Sequence, residues 1–319
     1  MTMRFFVTGG AGFLGSNLVN TLLDRGLGTV TVFDNFATGR REYFGQRIGT
    51  AGLTVVTGDV SDYAALAKAV AGHDVVFHLA ANPDIARAAR EPLIDFENGT
   101  RLTQTLLEAM RTTGVKRILF SSGSGVYGDV PADPIPEAYP HSVPISTYGA
   151  SKLASEALIS AYCHMFDFVG TVFRFANVVG PHMTHGVSHD FIRRLHGDAS
   201  RLQVLGDGNQ SKPYIHADDV IDAMLLLQGR QTTGYEYYNV SSEDHLLVRE
   251  IAEIVIGEMG LRDVALEYTG GERGWRADVP VYRLNTSKIR ALGWRNNRGS
   301  REAVTSAVRA LLAEIQTGL

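Results

Sequence analysis

A tyrosine and a lysine four residues apart, Tyr148 and Lys152, are the side chains of this sequence best suited to moving a proton. At that spacing they lie on one face of a helix, about one turn apart, and Ser146 or Thr147 would cap the helix. A free phenol titrates near pH 10 and is therefore a weak base at neutral pH. A nearby ammonium, helped by a second positive charge in a dry site, would favour the phenolate and lower its pKa.

A glycine-rich turn near the start of the chain is a candidate phosphate-binding loop. It lies between a predicted buried strand, residues 4–8, and a helical pattern that begins at residue 16. Gly10, Gly12 and Gly15 have the G-x-G-x-x-G spacing, which gives a tight turn, close approach of a pyrophosphate and close packing of helix on strand. The positive end of the helix dipole would face the phosphates. A tight turn without a ligand is the alternative interpretation.

Acidic residues at later strand ends indicate which nucleotide the loop would hold. A second predicted strand ends on Asp34, 19 residues beyond the last glycine of the turn. A carboxylate there accepts hydrogen bonds from an adenosine ribose and repels a 2′-phosphate. The sequence therefore favours NAD over NADP, although Arg40 and Arg41 follow closely and could tolerate a phosphate. Asp59, after a third strand at residues 53–57, would either meet the adenine or cap the next helix.

Strands that alternate with helices of about 10 to 15 residues predict a doubly wound parallel sheet. Continuous apolar runs at residues 75–81 and 117–120 are typical of strands buried on both faces. His78, inside the first run, is interpreted as a core histidine. Ligands of such sheets lie outside the carboxyl ends of the strands. We therefore expect an α/β protein, a Rossmann-type doubly wound parallel sheet with a smaller mixed α/β substrate-binding lobe.

The alternation of strands and helices stops near residues 177–181, where turn residues and histidines replace it. We therefore expect residues 1–176 to form a dinucleotide-binding domain, to which the chain returns around residues 213–240. Residues 177–212 and 241–319 would form the smaller substrate-binding lobe. A chain of 319 residues is long enough to bury a large core.

Bulk composition argues against several classes of protein. The net charge of −4, with histidine neutral, gives no field that would collect nucleic acid. The single cysteine, Cys163, excludes an internal disulfide framework, fits a reducing compartment and is interpreted as core packing. The sequence has no run typical of a signal peptide or a transmembrane helix, so a cytoplasmic protein without membrane binding is expected. His182, His185 and His189 lie on a predicted loop without a helical ligand spacing, so no metal site is expected.

Several short motifs together resemble those of the extended short-chain dehydrogenase/reductases. They are residues 8–15 (TGGAGFLG), 34–35 (DN), 58–60 (GDV), 78–81 (HLAA), 126–128 (VYG), and Tyr148 with Lys152. Further matches at residues 174–181, 206–210, 214–220 and 239–241 extend the resemblance over nearly the whole chain. Within this group the chain is similar to the sugar-nucleotide epimerases and dehydratases, above all to the compact UDP-galactose 4-epimerases.

The resemblance implies NAD-dependent epimerisation at C4 of a nucleotide-activated sugar of the UDP-glucose/UDP-galactose type. Tyr148 would take the proton of the sugar 4-hydroxyl while hydride leaves C4 for the nicotinamide, and Lys152 would bind the nicotinamide ribose and hold the phenolate. The 4-keto sugar would rotate and take the hydride back on its other face. The implied cofactor-binding residues are Gly9, Gly12, Phe13, Leu14, Gly15, Asp34, Asn35, Gly39, Asp59, Val60, Leu79, Ala80, Ala81, Ser121, Tyr148 and Lys152.

The resemblance also implies where the substrate binds. Asn177 and Lys212 match positions that touch the nucleotide diphosphate in the family, and Arg273 or Arg276 would supply a guanidinium for the phosphates. Tyr282 matches a position that limits the space around C2 of the sugar, which favours a hexose over an N-acetylhexosamine.

A uronic acid stays open as the sugar, because Arg87, Arg90 or a histidine of residues 182–189 could meet its carboxylate. A homodimer is expected, because the helical patterns at residues 100–110 and 148–165 carry apolar residues on more than one face, and in this family such helices form a four-helix interface.

The chain departs from the family pattern at two positions. The family's third catalytic residue, a Ser or Thr, falls on Gly123, so Ser122, Ser124 or a water would have to supply the hydroxyl. Ser124 is preferred because the glycines around it allow local adjustment. The family's Asn in the next helix falls on Gly99, and Asn98, one residue earlier, is interpreted as a helix-start residue.

Four other interpretations compete with this one. A 4,6-dehydratase normally carries Asp-Glu directly before Val-Tyr-Gly, and UDP-glucuronate decarboxylases carry a glutamate there, whereas this chain has Ser124 and Gly125, which cannot shuttle a proton as a carboxyl can. A UDP-N-acetylhexosamine 4-epimerase differs only in the sugar. An NAD-sensing binding protein would typically lack the Tyr/Lys pair, which is intact here.

Overall fold

A seven-stranded parallel sheet lies at the centre of the molecule. The computed structural model describes residues 2–82, 85–88, 90–131, 133–230 and 233–318. The strands of these residues are β1 Met3–Thr8, β2 Gly28–Asp34, β3 Leu53–Thr57, β4 Val75–His78, β5 Arg117–Gly123, β6 Pro134–Ile135, β7 Val169–Phe175, β8 Asn177–Val179, β9 Arg201–Val204, β10 Ser211–Lys212, β11 Tyr214–His216, β12 Tyr235–Val240, β13 Leu246–Leu247, β14 Ala265–Tyr268 and β15 Arg283–Leu284.

Some helices cover the two faces of the sheet, and others build the smaller C-terminal part. They are α1 Phe13–Asp24, α2 Tyr63–Val70, α3 Ile85–Ala88, α4 Leu93–Asp95, α5 Leu102–Thr113, α6 Thr147–Phe166, α7 Val187–Gly197, α8 Ala217–Gln228, α9 Val248–Glu258, α10 Ser287–Ala291 and α11 Ser300–Thr317. Short 3-10 turns lie at Arg41–Arg47 and Ser124–Val126. A π-helical turn, Phe96–Arg101, joins α4 to α5.

The strand order of the central sheet is β3-β2-β1-β4-β5-β7-β12, and every neighbouring pair is parallel. The chain winds in one direction from β1 to β3 and in the other from β4 onward, so the order reverses between β1 and β4. Thr8 and His78, the last residues of these two strands, lie opposite each other. A crevice for ligands forms outside the carboxyl ends of the strands at such a reversal. The expected Rossmann-type doubly wound sheet is therefore confirmed.

Three apolar cores hold the layers together. One packs α1 and α8 on one face of the sheet and includes Leu18 and Val220. The second packs α2, α5 and α6 on the other face and includes Leu106 and Ile159. The third lies among α7, β9, α9 and α11, around Leu202, and gives the smaller C-terminal part a core of its own.

The domain boundaries predicted from the sequence can be compared with these cores. Strand β12 pairs with β7 in the central sheet, inside the range where a return of the chain is expected. Within the expected lobe, Tyr282 and Trp294 belong to the first core rather than to the third. The division into two domains stays a prediction. Among the described residues, no helix is both long and apolar enough to cross a bilayer.

Three local expectations differ from the structure. Strand β4 ends at His78, because after Leu79 donates its N–H to O of Thr8 the chain crosses closely over Gly9. Asn98 does not start a helix, because the helical run already begins at Leu93 and Asn98 lies in its π-helical turn. The histidine loop is shorter than expected, because α7 begins at Val187 and contains His189.

Candidate active site

The glycine turn lies at the carboxyl end of β1 and requires glycine for two reasons. Gly9 has a φ of +67°, and a Cβ on it would lie 2.6 Å from N of Ala80. A Cβ on Gly15 would lie 2.2 Å from O of Gly9, so the first turn of α1 packs directly on the loop. Gly12 precedes α1, and no side chain of the described residues caps this helix. Its first amides therefore have no partner within the helix and point toward the crevice, as a pyrophosphate site requires.

Asp34, at the end of β2, holds the glycine turn in place. One carboxylate oxygen accepts the N–H of Ala11 at 2.9 Å and the other accepts the N–H of Phe36 at 2.8 Å. A carboxylate has about four lone-pair sites, so it can still accept ribose hydroxyls. Asn35 next to it donates to Asp59 at 2.9 Å, and hydrogen bonds from Ser61 and Asn35 lower the pKa of the Asp59 carboxyl.

Of the two arginines that could tolerate a 2′-phosphate, Arg41 has side-chain contacts with other residues. The Arg41 guanidinium lies 4.6 Å from the centre of the Phe36 ring and donates to Thr57 at 2.6 Å. Arg40 is exposed, and its backbone N–H donates to O of Ala11. Asp34 ends β2, the place where a carboxylate would meet an adenosine ribose, so the residues at this strand end fit NAD.

The tyrosine–lysine pair lies on the first two turns of α6. Ser146 caps this helix by accepting the N–H of Gly149 at 3.1 Å, which decides between the two predicted capping residues. Lys152 is 5% exposed and donates to O of Ser121, at the end of β5, at 2.7 Å. Its ammonium lies 5.6 Å from the centre of the Tyr148 ring. Burial lowers the pKa of Lys152 to about 8, and Glu156 opposes this shift.

Tyr148 is partly exposed, yet the chain by itself disfavours its phenolate. Burial, with a smaller contribution from Asp95, raises the pKa of Tyr148 to about 12. The lysine by itself therefore does not lower the pKa of the phenol, and the predicted phenolate, which also counts on a second positive charge, stays a prediction. The physical reason is that the Lys152 ammonium binds the carbonyl of Ser121 and not the phenol oxygen. A positive charge from a bound dinucleotide would have to supply the difference.

The two candidate serines lie in different surroundings. Ser122 is buried and donates to Glu156, which also pairs with Arg174 at 2.6 Å, so its hydroxyl belongs to a buried ion-pair network. This contact argues against Ser122 as the catalytic hydroxyl. Ser124 lies on the 3-10 turn after β5, and its side chain faces Tyr282 closely enough to lower the pKa of that phenol against the effect of burial. Gly123 has extended backbone and open space around its Cα.

Of the seven buried side-chain polar atoms without a hydrogen-bond partner among the described residues, two belong to candidate substrate residues. They are the hydroxyl of Tyr282, whose pKa burial raises to about 12, and Nδ2 of Asn177 at the start of β8. The backbone of Asn177 and the side chain of Ser124 are close enough to oppose this rise in the pKa of Tyr282, without forming a hydrogen bond to its hydroxyl. Unpartnered polar atoms at such depth cost about 1–3 kcal/mol unless a ligand or a water satisfies them. Both atoms belong to residues predicted to bind the substrate.

The basic residues predicted for the phosphates separate into two kinds. Lys212 pairs with the buried Asp278. Arg273 donates to Asp129 at 2.6 Å and lines a cavity of about 400 Å³, whose other walls include Gln210. Arg276 is exposed and does not line this cavity. The geometry therefore favours Arg273 over Arg276.

The residues named for a uronate carboxylate do not gather at this cavity. Arg87 pairs with Glu91 on an exposed helical turn, and Arg90 is exposed. His182 stacks on Tyr43 with ring centres 3.9 Å apart, and burial lowers its pKa to about 4.

The two residues interpreted as core remain in the core. His78 is fully buried, and its two ring nitrogens bond to Thr8 and Thr103. Cys163 is free and buried, and burial raises the pKa of its thiol to about 11.

Sequence reasoning missed the polar residues that hold α6 from behind. Asp95 accepts hydrogen bonds from Thr147 at 2.7 Å and from Asn82 at 2.8 Å. Glu156 lies one turn after Lys152 on the same face of α6 and pairs with Arg174 of β7. The four-residue spacing from Lys152 could have drawn attention to Glu156. No local pattern predicts that Thr147 bonds to Asp95, because these residues lie about fifty positions apart.

Comparison with known proteins agrees with this geometry. The family model described as the NAD dependent epimerase/dehydratase family matches residues 5–241, which include the glycine turn, β5 and α6. The chain belongs to this family. UDP-glucose 4-epimerase of Mycolicibacterium smegmatis is 32% identical over 96% of this chain and 97% of its own.

Solved structures of family members superpose over nearly the whole chain. UDP-glucose 4-epimerase of Thermus thermophilus, solved with NAD, is 31% identical, covers 97% of this chain and 99% of its own, and has a TM-score of 0.85. The dTDP-glucose 4,6-dehydratase of Streptomyces venezuelae, solved with NAD, is 28% identical. It covers 99% of this chain and 98% of its own, with a TM-score of 0.89. The fold therefore does not separate an epimerase from a dehydratase, and the residues at the site have to do so.

Proposed function

We propose that this chain catalyses NAD-dependent epimerisation at C4 of a nucleotide-activated sugar, with UDP-glucose and UDP-galactose as the interconverting pair. The observation that carries the proposal is the position of Tyr148 and Lys152, which lie one turn apart beside the end of β5, on the edge of the sheet that also bears the glycine turn. The relatives from Mycolicibacterium smegmatis and Thermus thermophilus, both UDP-glucose 4-epimerases, support the same reaction.

The proposed chemistry divides between the cofactor and the chain. NAD, when bound, supplies a hydride acceptor for C4 of the sugar. Tyr148 would accept the proton of the 4-hydroxyl as C4 is oxidised and would return it as C4 is reduced. Lys152, held by O of Ser121, would keep an ammonium beside the phenolate, which stabilises the charged form. Ser124 would offer its hydroxyl to the 4-oxygen, because Gly123 has no side chain.

The remaining residues would hold the two ligands. The backbone of residues 9–15 would bind the pyrophosphate of NAD, and Asp34 would accept the hydroxyls of its ribose. Asn177, Lys212 and Arg273 would bind the diphosphate of the substrate, and the Tyr282 ring would limit the space at C2 of the sugar.

The residues before Val126 argue against a dehydratase. Elimination of water from the sugar needs an acid and a base beside the tyrosine. Ser124 and Gly125 occupy the positions where such carboxyls would stand. Epimerisation needs only the tyrosine as acid and base, which this chain has.

Assembly, location and domains are proposed on separate grounds. A homodimer through the surface of α4, α5 and α6 is supported by exposed apolar side chains there, among them Leu93 and Phe96. A cytoplasmic location is supported by the single cysteine, which is free and buried. A dinucleotide-binding domain and a smaller lobe are supported by the separate core around α7, α9 and α11.

The decisive experiment incubates the protein and NAD with UDP-glucose and follows the sugar by chromatography and NMR. We expect UDP-galactose to form with no net accumulation of NADH. Tyr148→Phe should lower kcat at least about 10²-fold, the usual loss when a general base is removed. Tyr63→Phe removes an exposed hydroxyl that bonds Thr112 and should leave kcat unchanged.

Two results would contradict the proposal. A stable 4-keto-6-deoxy product from dTDP-glucose or UDP-glucose would assign the chain to the dehydratases. Full activity of Tyr148→Phe would remove the tyrosine from the mechanism. Conversion of UDP-glucuronate or UDP-N-acetylglucosamine in place of UDP-glucose would keep the reaction and change the sugar.

A further inference from the structure

A π-helical turn, Phe96–Arg101, interrupts the long helix that α4 and α5 form. The backbone partners of a π-turn lie five residues apart, and such turns are frequent at functional sites. Asp95 and Thr100 have this spacing, and the Ser151 hydroxyl bridges them. It donates to O of Asp95 at 2.6 Å and accepts from the N–H of Thr100 at 3.0 Å. Ser151 directly precedes Lys152, so the wide turn holds α6 next to the lysine.

Gly99 makes room for this contact. A Cβ on Gly99 would lie 2.2 Å from Oγ of Ser151, far inside van der Waals contact. Ser151 is buried, and its hydroxyl cannot rotate away from Gly99 without losing its hydrogen bonds to O of Asp95 and the N–H of Thr100. Gly99 is therefore required by the position of Ser151 and not by its own backbone angles.

The same turn holds α6 at a second point, four residues earlier. The carboxylate of Asp95 accepts the hydroxyl of Thr147 at 2.7 Å on one oxygen and the amide of Asn82 at 2.8 Å on the other. Thr147 directly precedes Tyr148. Asp95 therefore contacts, through its carboxylate and its carbonyl, the two residues that precede the tyrosine and the lysine. Asp95 is itself buried, so these contacts are sheltered from water.

We propose that Gly99, Asp95 and Ser151 are positioning residues that set Tyr148 and Lys152 at their working distance. The proposal rests on the proposed function, because it assigns these residues to the same proton transfer. A displacement of about 1 Å at reacting groups can cost about 10²-fold in rate, so a rigid support close behind both side chains is of direct use. The side chains of Asp95 and Ser151 do not touch the reacting atoms in this scheme, and Gly99 has no side chain.

The resemblance places an asparagine of the family at position 99, where this chain has glycine. If the chain had only lost a useful asparagine side chain at this position, Gly99→Asn would raise kcat. Since the asparagine Cβ would collide with Ser151, we expect Gly99→Asn to lower kcat instead.

The test compares Gly99→Asn and four further variants in the UDP-glucose assay with NAD. Gly99→Ala should lower kcat by about tenfold to 10²-fold, with KM for UDP-glucose changed less than about twofold. Ser151→Ala should have a smaller effect, because it removes the three hydrogen bonds of the serine hydroxyl without a clash. The double variant should recover to the level of Ser151→Ala, because Cβ of Ser151 lies 3.4 Å from the added Cβ, in ordinary contact. Gly257→Ala, in α9 with open space around it, is the matched control and should match wild type.

Two further readouts separate positioning from simple loss of fold. Thermal unfolding should show that all variants are folded at the assay temperature, and the pH profile of kcat should shift in Gly99→Ala and return in the double variant. Additive effects of the two substitutions, or wild-type kcat in Gly99→Ala or Gly99→Asn, would overturn the positioning role alone. An inactive wild-type protein would overturn the proposed function itself, and the positioning role with it.

Discussion

The pKa values of Tyr148 and Lys152, the two residues proposed to handle the proton, differ from those of an ordinary tyrosine and lysine. Burial raises the pKa of Tyr148 to about 12 and lowers that of Lys152 to about 8. Both shifts disfavour the charged forms that the proposed reaction uses. A cation bound in the crevice would therefore be needed to lower the pKa of Tyr148. The protonation state of the tyrosine then depends on whether the dinucleotide is bound.

Asp95 is the residue whose charge acts on both partners. Its carboxylate raises the pKa of Tyr148 and also that of Lys152. Removing the charge in Asp95→Asn should lower both pKa values, and the rate needs a deprotonated tyrosine and a protonated lysine. Both limbs of the kcat profile should therefore move to lower pH. At pH 9 we expect kcat to fall by up to about tenfold, the change for one pH unit on a limb.

The measurement is kcat from pH 5 to 10 at saturating substrate and NAD. Asp167→Asn is the matched control, because Asp167 is exposed at the far end of α6 and asparagine tolerates its left-handed backbone. An Asp95→Asn profile that moves to higher pH, or does not move, would contradict this role of the charge.

How much of the site the sequence predicts depends on how local the contact is. Tyr148 and Lys152 follow from one helical spacing, and Gly9, Gly15 and Asp34 from a fingerprint of about 30 residues. The fit of Gly99 around Ser151 joins positions 52 residues apart, and no local pattern contains it. The choice between Ser122 and Ser124 likewise depends on Glu156, which takes the hydroxyl of Ser122.

Among the elements, helix α6 decides how the site is held. It carries the tyrosine and the lysine on its front and is tied to β7 behind by Glu156 and Arg174. The sequence predicts α6 and the strands β1 to β5, because the helix has a clear spacing and cap and each of these strands is a short apolar segment that ends at a turn or polar residue. It does not predict the π-turn before α5, because that turn depends on a hydroxyl from another helix.

Breaking the buried pair behind α6 should cost stability and change the lysine. Glu156→Gln leaves the Arg174 guanidinium buried with its charge uncompensated, although one acceptor remains, and we expect a loss of about 3 kcal/mol in the free energy of unfolding. The pKa of Lys152 should fall further, because Glu156 raises it. Urea unfolding with an unchanged slope measures the first effect, and the alkaline limb of kcat the second.

The control for this variant is Glu108→Gln, which breaks an exposed pair with Arg111 on α5. Exposed pairs are screened by water and contribute little, so its unfolding curve should overlay that of the wild type. A midpoint for Glu156→Gln as high as that of the control would mean that the buried pair contributes no net stability.

At the scale of the whole molecule, an exposed apolar patch on α4 and the π-turn suggests how two copies meet. Leu93 is 72% exposed and Phe96, three residues on and thus on the same helical face, is 52% exposed. In the proposed homodimer both side chains are covered by the partner, and the mass in solution should be about 69 kDa, twice the 34.7 kDa of one chain.

Leu93→Glu would bury an unpaired carboxylate in that interface, which is strongly unfavourable. We therefore expect it to shift the protein toward the monomer in light scattering at micromolar concentration. Leu27→Glu, an equally large change at an exposed leucine between α1 and β2, should stay dimeric. A monomeric wild type, or a Leu93→Glu protein as dimeric as the Leu27→Glu protein, would place the contact elsewhere or remove it.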